Sequence, residues 1–186
     1  MHINQRYANA FDYAMRVHAA RPRRGSTLPA SVHLMAVSAL VFEHGGDEDQ
    51  ALAALLHDVV EVGGAVHASP INRQFGARVL RLVLDCSEGL GQPPADWLGR
   101  KRRHLEHLQG VAEDSLLVSA CNKLHRVHCL RRALERGDAA PFAPFGAGRE
   151  PVLWYAQRLG ELFARRGSAP AAAFARTLER IGRLAG

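Results

Sequence analysis

The sequence predicts an all-α fold, from three observations. Apolar residues recur at intervals of three and four along nearly every segment. Gly and Pro clusters separate these segments, and no stretch alternates apolar and polar residues as a half-buried strand would. At 186 residues the chain suits one domain with a sizeable core, so residues 1–186 are expected to form a single unit.

The first helix spans about residues 4–20, with Tyr7, Phe11, Ala14, Met15 and His18 at helical spacing and Pro22 ending the run. Residues 21–29 form a basic loop containing Gly25. A second helix runs from about 30 to 43 and stops at Gly45 and Gly46. Asp47 caps a third, which continues to about Glu61, before Gly63 and Gly64. Ser69 and Pro70 suit a helix start, with Ser as the cap and Pro in the first turn. That short helix ends at Phe75, and Gly76 separates it from another at about 77–86. The stretch GLGQPP at 89–94 reads as a loop, and later helices fall at about 95–109, 112–136, 150–165 and 169–184. Residues 137–148 are irregular yet too apolar for a flexible linker, so they should fold over the body.

Apolar residues make up 47% of the chain and charged residues 23%, an ordinary balance for a soluble globular protein. No stretch approaches the roughly 20 apolar residues a membrane span needs. The N-terminus lacks the basic-then-apolar order of a signal peptide, so the cytoplasm is the expected compartment and no membrane partner is expected. Cys86, Cys121 and Cys129 form an odd set without a CxxC, which argues against a disulfide framework. The net charge of +6 and pI near 9.9 come mostly from arginine, clustered at Arg21, Arg23 and Arg24 and again at 100–103. Such charge attracts anions, either a phosphorylated nucleotide or a nucleic acid, although a solvated arginine-rich surface has the same composition.

The chemistry centres on His57 and Asp58, adjacent in ALLHDVVEV, with His33 on a separate predicted helix and Glu61 one turn downstream. Neighbouring His and Asp side chains can direct a nitrogen and an oxygen towards one cation. That mixed donor set suits first-row divalent metals such as manganese, iron or zinc. A metal so held can activate water against a phosphate ester.

Around this pair lies an ordered motif series: His18, Arg23-Arg24-Gly25, Pro29, His33, AALLHDVVE at 53–61, Phe75-Gly76, Arg100-Lys101, LLVSACNKLH at 116–125 and LWY at 153–155. Over about residues 5–165 the chain resembles the HD-domain phosphohydrolases. It is most similar to the small stand-alone branch related to the hydrolase half of bifunctional (p)ppGpp synthetase/hydrolases. The resemblance implies a single helical bundle of about eight to ten helices, with the helix at 169–184 lying beyond the motif core. It also implies a divalent metal, manganese first, with iron and zinc as alternatives.

The family's metal site uses a His, the His-Asp pair and a later Asp inside an A-D-K-L-H-N segment. Carried over, this assigns His33, His57, Asp58 and Asn122 as metal ligands. Asn122 stands where the family has Asp. Its amide oxygen can coordinate a cation but brings no negative charge, so metal affinity should fall. The family's Glu-Asp pair, which positions and deprotonates the attacking water, becomes Glu61-Val62. Glu61 remains as a general base, whereas Val62 can relay no proton. Arg126 replaces the Asn of the later motif, where it could bind phosphate or block the sugar.

Arg23, Arg24 and Gly25 match the family's basic-basic-Gly turn, which implies a clamp for the guanine base and phosphates. Guanidinium groups suit that task through bidentate contacts to phosphate and stacking on bases. Lys123 and His125 match the K-L-H segment. Lys123, Arg126 and Tyr155 join Arg23 and Arg24 as substrate-binding residues, although Trp154 and Tyr155 equally suit core packing. His125 is expected to be structural rather than a ligand.

Cys121, His125, His128 and Cys129 share one helix face, but one straight helix cannot wrap four donors around an ion, so core packing is expected. His104 and His107 sit amid the cluster at 100–103 on what reads as a solvated helix. The leading functional expectation is hydrolysis of the 3′ pyrophosphate of a guanosine 3′,5′-polyphosphate, or of another small anionic nucleotide, including a nucleoside monophosphate or an NADPH-like phosphate. The alternative is a degenerate member that binds a nucleotide without turnover. A nucleic-acid binder is suggested by charge alone, with no recognised motif. A homo-oligomer stays open.

Overall fold

The computed structural model describes residues 4–19, 29–88 and 95–185. Among them are ten α-helices and two single 3-10 turns, with no strand, so the predicted all-α class holds. The basic loop with Arg21, Arg23, Arg24 and Gly25, and the loop at 89–94, lie outside the described residues.

Helices α1 (Gln5–His18) and α2 (Ala30–Glu43) fall close to their predicted bounds. Asn4 caps α1 by accepting from the N–H groups of Arg6 and Tyr7. The predicted stop of α2 has a specific geometry. Gly45 adopts φ +83°, its N–H donates to Phe42 O at 3.1 Å, and the Gly46 N–H donates to Val41 O at 2.8 Å. This double closure satisfies the last carbonyls, and only glycine adopts the left-handed φ cheaply.

Asp47 then starts α3 (Glu48–Leu56) with a reciprocal cap: its carboxylate accepts from Gln50 N at 3.0 Å while Gln50 Oε1 accepts from Asp47 N at 2.9 Å. Every residue from Gln50 to Leu56 is buried, because α3 is packed on several sides, by α1, α2, α6 and α8. Its alanines, Ala51, Ala53 and Ala54, let those neighbours approach closely.

Two elements depart from the sequence reading. The third helix does not run on to Glu61: it breaks at His57-Asp58 and resumes as α4 (Val59–Gly63). The short helix α5 (Ala68–Phe75) starts one residue before Ser69, entered directly from a 3-10 turn at Ala65–His67, with no side-chain cap. Ser69 instead accepts from Arg73 Nη1 at 2.7 Å, so its hydroxyl is committed to its own helix.

Helices α6 (Ala77–Cys86), α7 (Trp97–Gly110), α8 (Glu113–Glu135), α9 (Arg149–Arg165) and α10 (Ala171–Ala185) complete the bundle. With 23 residues, α8 is about 35 Å long and spans it. One core cluster joins α1, α3, α5 and α6 through residues such as Tyr13, Leu52, Leu55, Leu56, Phe75 and Leu82. A second joins α7 to α10 through Leu108, Leu124, Tyr155, Leu159, Phe163 and Phe174. A third bridges them at α2, α3, α6 and α8 with Val37, Val41, Ala54, Cys86, Val118 and Cys121. As expected, the apolar 137–148 stretch covers the body: Phe142 and Phe145 pack on the second cluster, and the Trp97 indole donates to Phe145 O at 2.9 Å. No helix among the described residues is long and apolar enough to cross a membrane.

Leu55 is fully buried in the helix that leads to His57, so Leu55→Ala should destabilise the fold by about 2–5 kcal/mol. Urea denaturation followed by far-UV circular dichroism checks this.

Candidate metal centre

A side-chain contact marks the break after α3. Ala54 O accepts from His57 Nδ1 at 2.7 Å, taking up the carbonyl that a continuing helix would offer to the Asp58 N–H. A carbonyl can only accept, so Nδ1 carries a proton and the opposite nitrogen, Nε2, is turned to the site. Nε2 is buried, has no well-aligned hydrogen-bond partner, and stands 3.2 Å from Asp58 Oδ1. Two acceptor atoms at that distance repel unless a cation, proton or metal, lies with them.

The charges of the site say the same. Burial disfavours a charged His57 ring, yet the Asp58 carboxylate and the Ala54 carbonyl outweigh it and raise the ring's pKa. Burial also works against an ionised Asp58, but the His57 and His33 rings and Arg126 prevail and hold the carboxyl well below the usual carboxylate range. The pair is built to carry a negative oxygen beside a positive neighbour. Asp58 keeps about a third of its side chain exposed (36%), whereas His57 is 1% exposed, so the site has an open side.

His33 comes from α2. One donor atom each from His33, His57 and Asp58 lie within 4.8 Å of one another, and these are three of the four residues assigned as metal ligands on sequence grounds. A divalent ion takes such donors at about 2.0–2.2 Å. His33 Nδ1 lies 2.7 Å from His125 Nδ1, so His125 orients the His33 ring from behind, the structural part expected of it.

Asn122 sits three residues before His125 on the same helix, is 6% exposed, and its Oδ1 is buried with no hydrogen-bond partner. An unpaired buried acceptor costs about 1–3 kcal/mol, which coordination of a cation would offset. The trio itself, two imidazoles with His57 Nε2 unsatisfied and one carboxylate, fits a divalent ion.

Beside this group lies a second cluster that the sequence reading missed in part. Glu61, exposed on α4, accepts at Oε2 from the Glu88 N–H at 3.3 Å. The surrounding protein, with Asp58 and Glu88 nearby, pushes its pKa up. Glu88 also pairs with two lysines, Lys123 at 2.6 Å and Lys101. The stretch 100–103 is thus not a uniformly solvated cluster: Arg100 and Arg102 are exposed, but Lys101 turns inward with 14% of its side chain exposed.

His104, read as part of that solvated helix, is 4% exposed, and its Nδ1 lies 2.7 Å from the Tyr155 hydroxyl. Burial and Lys123 keep His104 neutral. Burial and Glu88 push the Tyr155 phenol well above its ordinary pKa. The Lys101 ammonium stands 4.9 Å from the centre of the Tyr155 ring and 5.6 Å from that of Trp97, so aromatic faces support it.

Arg126, one turn from Asn122, lies over the Phe145 ring at 5.2 Å, and its charge reaches both Asp58 and Tyr155. Lys123, Arg126 and Tyr155 are therefore gathered near the metal-ligand trio, while Arg23 and Arg24 lie outside the described residues. The spacing of Lys101 and His104, three apart on one helix face, was the available signal. Surrounding arginines masked it. The set Cys121, His125, His128 and Cys129 makes no four-donor site. Cys121 is in the core with its thiol pushed up to about 12, and Cys129 Sγ stays 3.8 Å from the His125 nitrogens.

Comparison with known proteins fits this geometry. A profile of the HD domain matches residues 10–153. The chain belongs to the HD domain family. Among curated proteins this HD domain is 31% identical over 136 residues to the GTP pyrophosphokinase rsh of Brucella ovis and to that of Brucella abortus. These alignments cover 69% of this chain but 17% of each relative, so the chain spans about a sixth of their length.

Among solved structures it superposes on a metazoan ortholog of SpoT, which hydrolyzes ppGpp and plays a role in starvation responses. That match has a TM-score of 0.76 at 22% identity and covers 100% of this chain and 98% of the other. It also superposes on lmo0812 from Listeria monocytogenes EGD-e, with a TM-score of 0.67 at 21% identity, covering 80% and 97%. At these identities the two structures show the shared fold.

Giving the site a second carboxylate should tighten it. Asn122→Asp is expected to raise Mn2+ affinity by about tenfold or more, equivalent to about 1.4 kcal/mol, and His57→Ala to abolish stoichiometric binding. Calorimetric titration of metal-free protein checks both.

Proposed function

We propose that this HD domain is a divalent-metal phosphohydrolase that removes the 3′ pyrophosphate of a guanosine 3′,5′-polyphosphate such as ppGpp. The observation that carries the reading is the His33–His57–Asp58 trio, two buried histidines and a half-buried carboxylate, with an unsatisfied acceptor at His57 Nε2, set beside two inward lysines. The likeness to rsh proteins and to a metazoan ppGpp hydrolase supports the substrate class. Manganese is the first choice of metal, since nitrogen and carboxylate donors together suit it, with iron and zinc next. A cytoplasmic setting and one catalytic unit over residues 1–186 belong to the same proposal.

In this reading His33, His57, Asp58 and Asn122 hold the ion. The bound ion would polarise a phosphoryl oxygen and lower the pKa of water. Glu61, anchored by the Glu88 N–H and with its pKa raised, takes a proton from the attacking water as the water oxygen bonds to phosphorus. The bond between phosphorus and the 3′ oxygen breaks, the 3′ oxygen takes up a proton and leaves as the nucleotide's 3′ hydroxyl, and pyrophosphate departs with the oxygen of the water; the proton on Glu61 returns to solvent. Val62 cannot share that proton, so Glu61 works without the family's second acid. Lys101, Lys123 and Arg126 neutralise the phosphates, Tyr155 lines the pocket, and Arg23 and Arg24 grip the base and the 5′ end.

A second reading, nucleotide binding without turnover, is favoured by Asn122 and Val62 alone. Incubation with Mn2+ and ppGpp separates the two. The proposal expects pyrophosphate release that disappears in His57→Ala, and a fall in kcat of about 10²–10⁴-fold in Glu61→Gln. Silence of the unmodified protein, with activity appearing only in Asn122→Asp, would instead identify a binder.

Burial, resisted by Glu88 and reinforced by Lys123 and Arg126, brings the Lys101 pKa down to about 8. Below that pH the ammonium is present to meet an anion, and above it the charge is lost. The KM for ppGpp should therefore rise as pH passes from 7 to 9, and Lys101→Arg should remove that rise.

A further inference from the structure

We propose that Glu88 is a positioning residue: its carboxylate holds Lys101 and Lys123 side by side as a seat for a phosphate-bearing anion, while its backbone N–H fixes Glu61. The inference rests on the proposed function for the identity of that anion.

The two lysines come from different helices, α7 and α8, and each takes a different oxygen of the one carboxylate, Lys101 at Oε2 and Lys123 at Oε1, the latter at 2.6 Å. All three side chains are largely buried, at 14%, 6% and 16% exposure. Two ammonium groups do not share so small a volume unless an anion lies between them, because their repulsion is strong away from water. Glu88 is that anion in the protein itself.

The charge does not close, however. Within this trio two lysines face one carboxylate, a local surplus that Arg126 joins, while Asp58 and Glu61 carry their negative charge on the side of the candidate metal ligands. Each ammonium carries three N–H donors and gives one to Glu88. The surplus, next to the candidate metal ligands, is what a multiply charged phosphate or pyrophosphate would neutralise. One further acceptor or donor is available there: His104 Nε2 is buried without a hydrogen-bond partner and lies 4.0 Å from Glu88 Oε1.

Residue 88 touches the other half of the chemistry through its backbone. The N–H that meets Glu61 Oε2 at 3.3 Å places the candidate base relative to the same residue that places the lysines. Replacing the side chain leaves this N–H in place, so the two tasks separate by mutation. Loss of the carboxylate should weaken anion binding and spare the base.

Inorganic pyrophosphate is the direct probe, titrated calorimetrically into unmodified protein, Glu88→Gln, Glu88→Asp, Lys101→Met and the double variant Glu88→Gln/Lys101→Met. Glu88→Gln should bind pyrophosphate at least about tenfold more weakly. Glu88→Asp, which keeps the charge, should recover part of the loss. The double variant should fall below Lys101→Met by less than Glu88→Gln falls below the unmodified protein, because only Lys123 is then left for Glu88 to hold. In hydrolysis assays Glu88→Gln should raise KM far more than it lowers kcat.

Equal or tighter pyrophosphate binding by Glu88→Gln would make the carboxylate a competitor of the anion and overturn the proposal. So would failure of the unmodified protein to bind pyrophosphate. If Glu88→Gln does not fold, Glu88→Asp decides by the same measure: its KM rises with kcat retained, or the idea fails. Binding is read without turnover, so an inactive protein that still binds pyrophosphate through Glu88 defeats the hydrolase reading and not this one.

Discussion

The hydrogen bond from His57 Nδ1 to the Ala54 carbonyl is the contact on which the site depends. It lies at the interruption of a helix that sequence periodicity would extend. It fixes which ring nitrogen bears hydrogen, and thereby turns Nε2 towards Asp58. The residues before it, Gln50 to Leu56, are buried, so the anchor of the ring cannot drift. A catalytic group is only as well placed as the element carrying it, and here that element is among the most enclosed helices of the bundle.

Electrostatics divides the site into two neighbouring halves of opposite character. Around Asp58, Glu61 and Asn122 the groups are oxygen acceptors, suited to cations. Around Lys101, Lys123 and Arg126 they are cations, suited to phosphate oxygens. Glu88 stands between, bonding the second half through its carboxylate and the first through its backbone. Such a juxtaposition is what hydrolysis of a phosphate ester asks of a protein: one part for water and metal, one for the charge on the substrate. Asn122 and Val62, where the resembled family has acids, leave a leaner version of the first half, and Arg126, in place of the family's Asn, adds a cation to the second.

Much of this was legible beforehand. Helical spacing with Gly and Pro punctuation located most helices to within a residue or two, because the caps at Asp47 and Gly45-Gly46 are local chemistry. His33, His57 and Asp58 were legible as a group because an ordered motif series surrounds them. The break at His57-Asp58 was not, since no Gly or Pro marks it. Ser69 misled because its hydroxyl had a competing partner in Arg73. Lys101 and His104 were hidden by composition. A run of basic residues averages to a solvated face, yet a helix shows its neighbours different sides.

By itself the sequence determined the helical class and the capped boundaries, and its motif series singled out His33, His57 and Asp58 through a family resemblance. Those depend on local propensity and on residue identity, which are written along the chain. Tertiary structure alone decided that Glu88, Lys101, Lys123, His104 and Tyr155 form one buried cluster. Their mutual attraction exists only once the segment after α6 and helices α7, α8 and α9 are packed, and no spacing in the sequence encodes distances between separate helices.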